Sequence, residues 1–146
     1  MSNWISCQSV SGHGDQLGPL QLAWLGDAVW ELHQRLRHCQ ETGRASTLHN
    51  AVVRQVCAEA QSEALRRLEP WLNQQERDLI RRSRNQAGRG SRGTRASSYR
   101  RATGFETMVG WLFLQDPVRL AQLLDRLEPE TTDGHPKIPS PYEFPL

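Results

Sequence analysis

Lysine is nearly missing from this chain: of 18 basic residues only Lys137 is a lysine, so its positive charge is carried almost wholly by guanidinium groups. Long apolar runs are missing too. No stretch approaches the ~20 residues that cross a bilayer, and Met1 to Val10 has neither the basic start nor the apolar centre of a secretion signal. No membrane partner is therefore expected, and a cytoplasmic protein is. Cysteine is scarce. Cys7, Cys39 and Cys57 are odd in number and widely spaced, which argues against a disulfide framework and suits a reducing compartment. With His38 and His49 they match no zinc-ligand spacing. Period-two alternation is absent as well, so no strand is expected and the fold class reads as all-α.

What is present suffices for one domain: 146 residues, 37% of them hydrophobic. Gly12, Gly14 and Gly18 mark residues 1–18 as an N-terminal arm. Periodicity predicts a first helix from Pro19 to about Cys39, with Pro19 in its first turn and Glu31 and Arg35 as an ion pair one turn apart. Beyond a turn at residues 42–46, Leu48, Val52, Val56, Ala60, Ala64 and Leu68 predict one long helix from about Thr47 to Leu68, stopped by Pro70. Asn73 and Glu76 have the spacing of a capping box that opens a short helix to about Arg84. A helix resumes near Ser97 and ends at Gln115. Asp116-Pro117 then caps a last one bearing Leu120, Leu123, Leu124 and Leu127. Residues 128–146 hold too many prolines for regular structure and read as a tail.

Two of these helices carry the same anomaly. Leu22, Leu25, Val29, Leu32 and Leu36 define an apolar face, yet Gly26 and Asp27 interrupt the segment beside Trp24, Ala28 and Trp30. A mid-helix glycine costs ~1 kcal/mol relative to alanine, and a buried carboxylate requires neutralisation. Phe105-Glu106-Thr107-Met108-Val109-Gly110-Trp111 repeats the pattern. Helices with a glycine near the acid can pack closely enough to face Asp27 toward Glu106. Mg2+ between the two acids would resolve both burials, because it takes carboxylate oxygens and keeps its other positions for water and phosphate. The competing explanation is an ordinary ion pair or helix cap at Asp27, with Gly26 serving close packing alone.

Between Arg77 and Arg101, nine arginines are offset by Asp78 alone. Residues 86–95 have no apolar face and read as an arginine- and glycine-rich loop. Such density repels itself, while guanidinium forks match phosphate oxygens. A solvated, solubilising loop is the alternative. Position favours phosphate: the segment leads into the helix that carries Glu106, and hydrolysis of a phosphodiester backbone needs both an anionic metal cage and a cationic approach.

These residues resemble the catalytic domain of the ribonuclease III family, most closely its short Mini-ribonuclease III branch. Leu22-Ala23-Trp24-Leu25-Gly26-Asp27-Ala28-Val29 is similar to the family's first acidic motif, and Phe105-Glu106-Thr107-Met108-Val109-Gly110 to its second. Leu48-His49 and Ala60-Gln61 resemble positions of the branch on its central helix. Arg82-Ser83-Arg84-Asn85 resembles its arginine-asparagine element, and Tyr99-Arg100 the lead into the last acidic helix. The likeness spans residues 19–127. The chain departs from full-length ribonuclease III at Leu20, Ala23 and Thr103, where that branch has further acids, and from Mini-ribonuclease III at Gln86-Ala87, where a lysine is usual.

The resemblance implies the helical fold of the ribonuclease III endonuclease domain and an Mg2+-dependent endonuclease for double-stranded RNA, acting as a homodimer. Asp27 and Glu106 are the implied catalytic and metal-binding residues, and Arg81, Arg82, Arg84, Asn85, Arg89, Arg92, Arg95 and Arg100 the RNA-binding ones. The implied substrate is a precursor of large-subunit ribosomal RNA, with a ribosomal protein on it as a further partner. The stretch after Leu127 is too short for a double-stranded-RNA-binding domain. A non-catalytic, ribosome-associated helical module is the main rival reading. A DNA-binding helix-turn-helix regulator is more distant, because residues 89–95 read as a loop rather than a recognition helix.

Overall fold

A helix that is apolar on nearly every side belongs at the centre of a helical domain, and residues 102–110 make such a helix. The computed structural model describes residues 2–7, 14–87 and 93–128. Its α-helices are α1 (Asn3–Ser6), α2 (Pro19–His38), α3 (Ala45–Val56), α4 (Ala58–Leu68), α5 (Gln74–Ala87), α6 (Thr94–Gln115) and α7 (Pro117–Asp125), with short 3-10 turns at Gly14–Gln16 and Glu69–Trp71. No strand occurs among the described residues, as the all-α reading expects, and no helix there is long and apolar enough to cross a membrane.

α6 is the axis. Phe105, Met108 and Val109 have no exposed surface, and α2, α4 and α5 pack around them. Trp30 of α2 meets Phe105 edge to face, with ring centroids 5.0 Å apart, and its indole N–H donates to the Gln55 carbonyl at 2.9 Å. Near the start of the chain, α1 buries Ile5 beside α7, so part of the N-terminal arm joins the core.

The capping box at α5 is present in both halves. Asn73 Oδ1 accepts the Glu76 N–H at 2.9 Å, and Glu76 Oε2 accepts the Asn73 N–H at 2.8 Å. Glu76 is fully buried and is neutralised by the Arg119 guanidinium at 2.9 and 3.1 Å, which ties the start of α5 to α7. The surface pair Glu31–Arg35 also forms, at 2.6 Å.

Two expectations need correction. The single helix over residues 47–68 is two, because Cys57 is extended (φ −69°, ψ 157°) and its carbonyl opens α4 by accepting the Gln61 N–H. A stripe stepping by four residues drifts about 40° round a helix at each step, so Leu48 to Leu68 never shared one face. The break lets α3 follow α2 while α4 follows α6. On α2, the buried face is Leu22, Ala23, Gly26, Val29, Trp30, His33 and Gln34, with Leu32 exposed, so the leucine stripe is displaced toward the glycine.

That displacement has a steric cause. A Cβ on Gly26 would sit 1.7 Å from the Glu106 carbonyl oxygen, and one on Gly110 would sit 2.1 Å from the Leu22 carbonyl oxygen. α2 and α6 therefore touch backbone to backbone. Gly26→Ala is expected to destabilise the fold by about 3 kcal/mol or more, since backbone rather than a movable side chain obstructs the methyl group. Gly43→Ala, whose methyl group would meet only the Leu48 side chain at an ordinary 4.0 Å, should change stability by less than ~0.5 kcal/mol. Denaturant melts of the two variants check this, and equal midpoints would refute the close contact.

Candidate active site

Because Gly26 lies against the backbone of Glu106, the side chain next along α2 is brought to the side chain of Glu106 itself. Asp27 and Glu106 thereby share one edge of the α2–α6 crossing. Their proximity shows in the acidity of Glu106. Burial, then the Asp27 charge, push its carboxyl from 4.5 up to about 7, and the nearby Gln61 amide pulls it back in part.

The two acids are not equally placed. Glu106 is half-buried, but Asp27 is exposed, as is Trp24 at 82%. The sequence suggested an aspartate walled in by tryptophans; instead it sits one helical step, about 100°, from the buried Gly26 and so reaches the rim. The rival ion-pair explanation also finds no partner. Among the described residues the side-chain salt bridges go to Glu31, Glu41, Glu63, Glu76 and Asp78, and none reaches Asp27 or Glu106.

Backbone contact is reinforced by buried hydroxyls beneath Glu106. Thr107 Oγ1 lies 2.8 Å from the Thr103 carbonyl oxygen, 3.1 Å from that of Pro19 and 2.6 Å from Ser83 Oγ. These contacts join α6 to the start of α2 and to α5, which fixes the turn that presents Glu106. Neither Thr107 nor Ser83 stood out in the sequence.

Asp27 and Glu106 offer hard carboxylate oxygens, and no third His, Cys, Asp or Glu joins them among the described residues. Glu31 is occupied by Arg35. A donor set of two carboxylates facing each other, one strained by the other's charge, suits a divalent cation that completes its shell with water and phosphate oxygens. It does not suit zinc, which prefers nitrogen and sulfur ligands.

The arginines divide around the 88–92 segment. Arg81, Arg82 and Asn85 are exposed on α5, and Arg84 is half-buried against Gly104, two residues before Glu106. Arg95 is exposed in the first turn of α6 and Arg100 is half-buried one turn and a half further on. Arg81 is only loosely engaged, at 3.0 Å from Asp78 on an exposed surface. Arg89 and Arg92 lie outside the described residues.

Gln61 carries an unassigned signal. It occupies the apolar face of α4 with Ala64, Leu65 and Leu68, is 1% exposed, and its Nε2 makes no hydrogen bond of ordinary geometry although it is buried beside Glu106. A glutamine at the i, i+3, i+4, i+7 spacing of an apolar stripe was the clue available in the sequence.

Residues 20–117 match the ribonuclease III domain family. The chain is 46% identical over 112 residues to a Mini-ribonuclease 3 of Synechococcus sp., covering 77% of this chain and 81% of that protein. It is 42% identical over 120 residues to a Mini-ribonuclease 3 of Gloeobacter violaceus, covering 82% and 89%. A crystal structure of a protein from Fusobacterium nucleatum superposes with a TM-score of 0.64 at 25% identity, over 76% of this chain and 93% of that one.

Glu106 makes a pH signature in metal-free protein. Folded, it holds its proton up to about pH 7; unfolded, it releases it near 4.5. Its contribution to stability is therefore full below 4.5 and is lost as pH rises to 7. His33 works in the opposite direction, since burial and the Arg37 charge lower its pKa to about 4. Subtracting the Glu106→Gln melting curve cancels His33. In chelator, the stability of wild type relative to Glu106→Gln should fall between pH 4.5 and 7 and then level off; a flat difference would show that the acids do not face each other.

Proposed function

This chain belongs to the ribonuclease III family and is an endoribonuclease for double-stranded RNA; we propose that Asp27 and Glu106 form its catalytic centre and hold Mg2+ there. The observation that supports this reading is the pair itself. Two carboxylates that no cationic side chain among the described residues pairs are brought together by a glycine contact between α2 and α6. When bound, the cation supplies a Lewis acid for a phosphoryl oxygen and makes water a usable nucleophile at neutral pH.

The chain's own residues do the rest. Exposed Asp27 and half-buried Glu106 would hold the ion together; Glu106 would have to give up its proton to do so, so affinity should fall below about pH 7. Arg81, Arg82, Arg84, Asn85, Arg95 and Arg100, with Arg89 and Arg92, contact phosphates. They set binding strength and its salt dependence rather than base choice, as suits recognition of an A-form duplex by shape and backbone.

The exposed apolar face of α2 supports assembly as a homodimer. Leu20 at 58% and Trp24 at 82% exposure lie one turn apart on it, beside Asp27. A two-fold partner would cover this patch and present a second pair of acids to the other strand. The task we assign is maturation of large-subunit ribosomal RNA in the cytoplasm, on a substrate that carries a ribosomal protein.

Asp27→Asn keeps shape and volume but removes the charge that would balance the cation. Cleavage of duplex RNA in Mg2+ should drop by several orders of magnitude while RNA affinity changes little. Melting in chelator should stay level or rise, because a like-charge neighbour of Glu106 is gone. Normal cleavage by a folded Asp27→Asn protein would sink the assignment. Trp24→Asp, in turn, should convert a dimer to a monomer in sedimentation at micromolar concentration; a wild type that is monomeric and fully active would remove the dimer from the reading.

A further inference from the structure

A buried amide nitrogen without a well-formed hydrogen bond carries a desolvation cost that an apolar side chain of the same size would avoid. Gln61 Nε2 is buried without a hydrogen bond of ordinary geometry, and the acceptor it is placed to reach is the Glu106 carboxyl, whose acidity it raises. Its neighbours on the same face, Ala64, Leu65 and Leu68, are the apolar residues the core calls for. Packing therefore does not explain the glutamine.

The chemistry of the neighbour does. A carboxylate that gives one oxygen to a cation still has lone pairs on the other, and a half-buried carboxylate cannot rely on water for all of them. Gln61 Nε2 is a neutral donor beside that group, held by α4, whose start is fixed by the Cys57 carbonyl. Neutrality is essential: a lysine or arginine there would compete with the cation for Glu106, whereas an amide supports the carboxylate without discharging it.

Resting on the metal-site reading above, we propose that Gln61 is a positioning residue for the cation site: its Nε2–H donates to one oxygen of the ionised Glu106 and turns the other toward Asp27. It touches neither substrate nor metal. Its effect passes through the orientation of Glu106, so it acts on metal affinity and leaves RNA binding to the arginines. Partners that orient a metal ligand typically change affinity by 10–100-fold when removed.

The full-length chain is titrated with Mn2+ alone by calorimetry, as wild type, Gln61→Met, Gln61→Leu and Asp27→Asn, with melting curves in chelator on the same samples. Both apolar variants should melt at or above wild type without metal, because the unpaired amide is gone. Their Mn2+ Kd should rise about tenfold or more, and the Mg2+ needed for half-maximal cleavage should rise in step while KM for duplex RNA stays put. Gln61→Asn, which sets the same donor one carbon further back, should recover part of the loss. A folded apolar variant with Mn2+ affinity within twofold of wild type overturns the role of Gln61 alone. Unfolding of both apolar variants assigns Gln61 to the core and overturns it too. Wild type without Mn2+ binding, matching Asp27→Asn, removes the metal site and this proposal with it.

Discussion

The structure depends on one steric fact: at Gly26 and Gly110 there is no room for a methyl group. Two helices normally keep 8–10 Å between their axes because side chains interleave. Here backbone meets backbone, and everything on α2 and α6 near the crossing is placed by that contact. Trp30 is driven against Phe105, Leu22 goes under Gly110, and the carbonyl of Glu106 becomes the floor beneath Gly26. The glycines cost helix propensity, and the core they permit repays it through burial of Phe105, Met108, Val109 and Leu112.

The same contact creates the electrostatic tension at the site. Acids on two separate helices would ordinarily spread apart into solvent. The helices cannot separate without giving up the core, so the Asp27 charge stays beside a half-buried Glu106 and its carboxyl is pushed up to about 7. Elsewhere the protein neutralises its buried acid: Glu76 has Arg119 on two atoms and the Asn73 amide besides. Glu76 is satisfied by its own fold; Glu106, in the reading proposed above, is left for a cation.

Polar groups around the crossing follow the same division. Thr107, Ser83 and the carbonyls of Thr103 and Pro19 satisfy one another and stiffen the turn that carries Glu106. Gln61, equally buried, makes no hydrogen bond of ordinary geometry, and its amide acts on the Glu106 carboxyl.

The all-α class, the start of α2 at Pro19, the α5 capping box, the cap and proline opening α7, and the coincidence of Gly26-Asp27 with Glu106 and Gly110 could all be read from the chain, because each rests on local spacing or local hydrogen bonding. Local periodicity misled at the α3–α4 break, since steps of four residues imitate a single face that in fact rotates, and only the packing of α3 on α2 and of α4 on α6 calls for an extended Cys57. It misled again on Asp27, whose exposure is set by which side of α2 the glycine presses against α6. The role open to Gln61 could not be read either, because an unpaired amide exists only once a carboxylate from another helix stands next to it. The sequence by itself thus determined which residues carry charge and where helices begin. Tertiary structure alone decided how deeply each of those charges is buried and how strongly its neighbours act on it, because burial and field depend on neighbours distant in the chain.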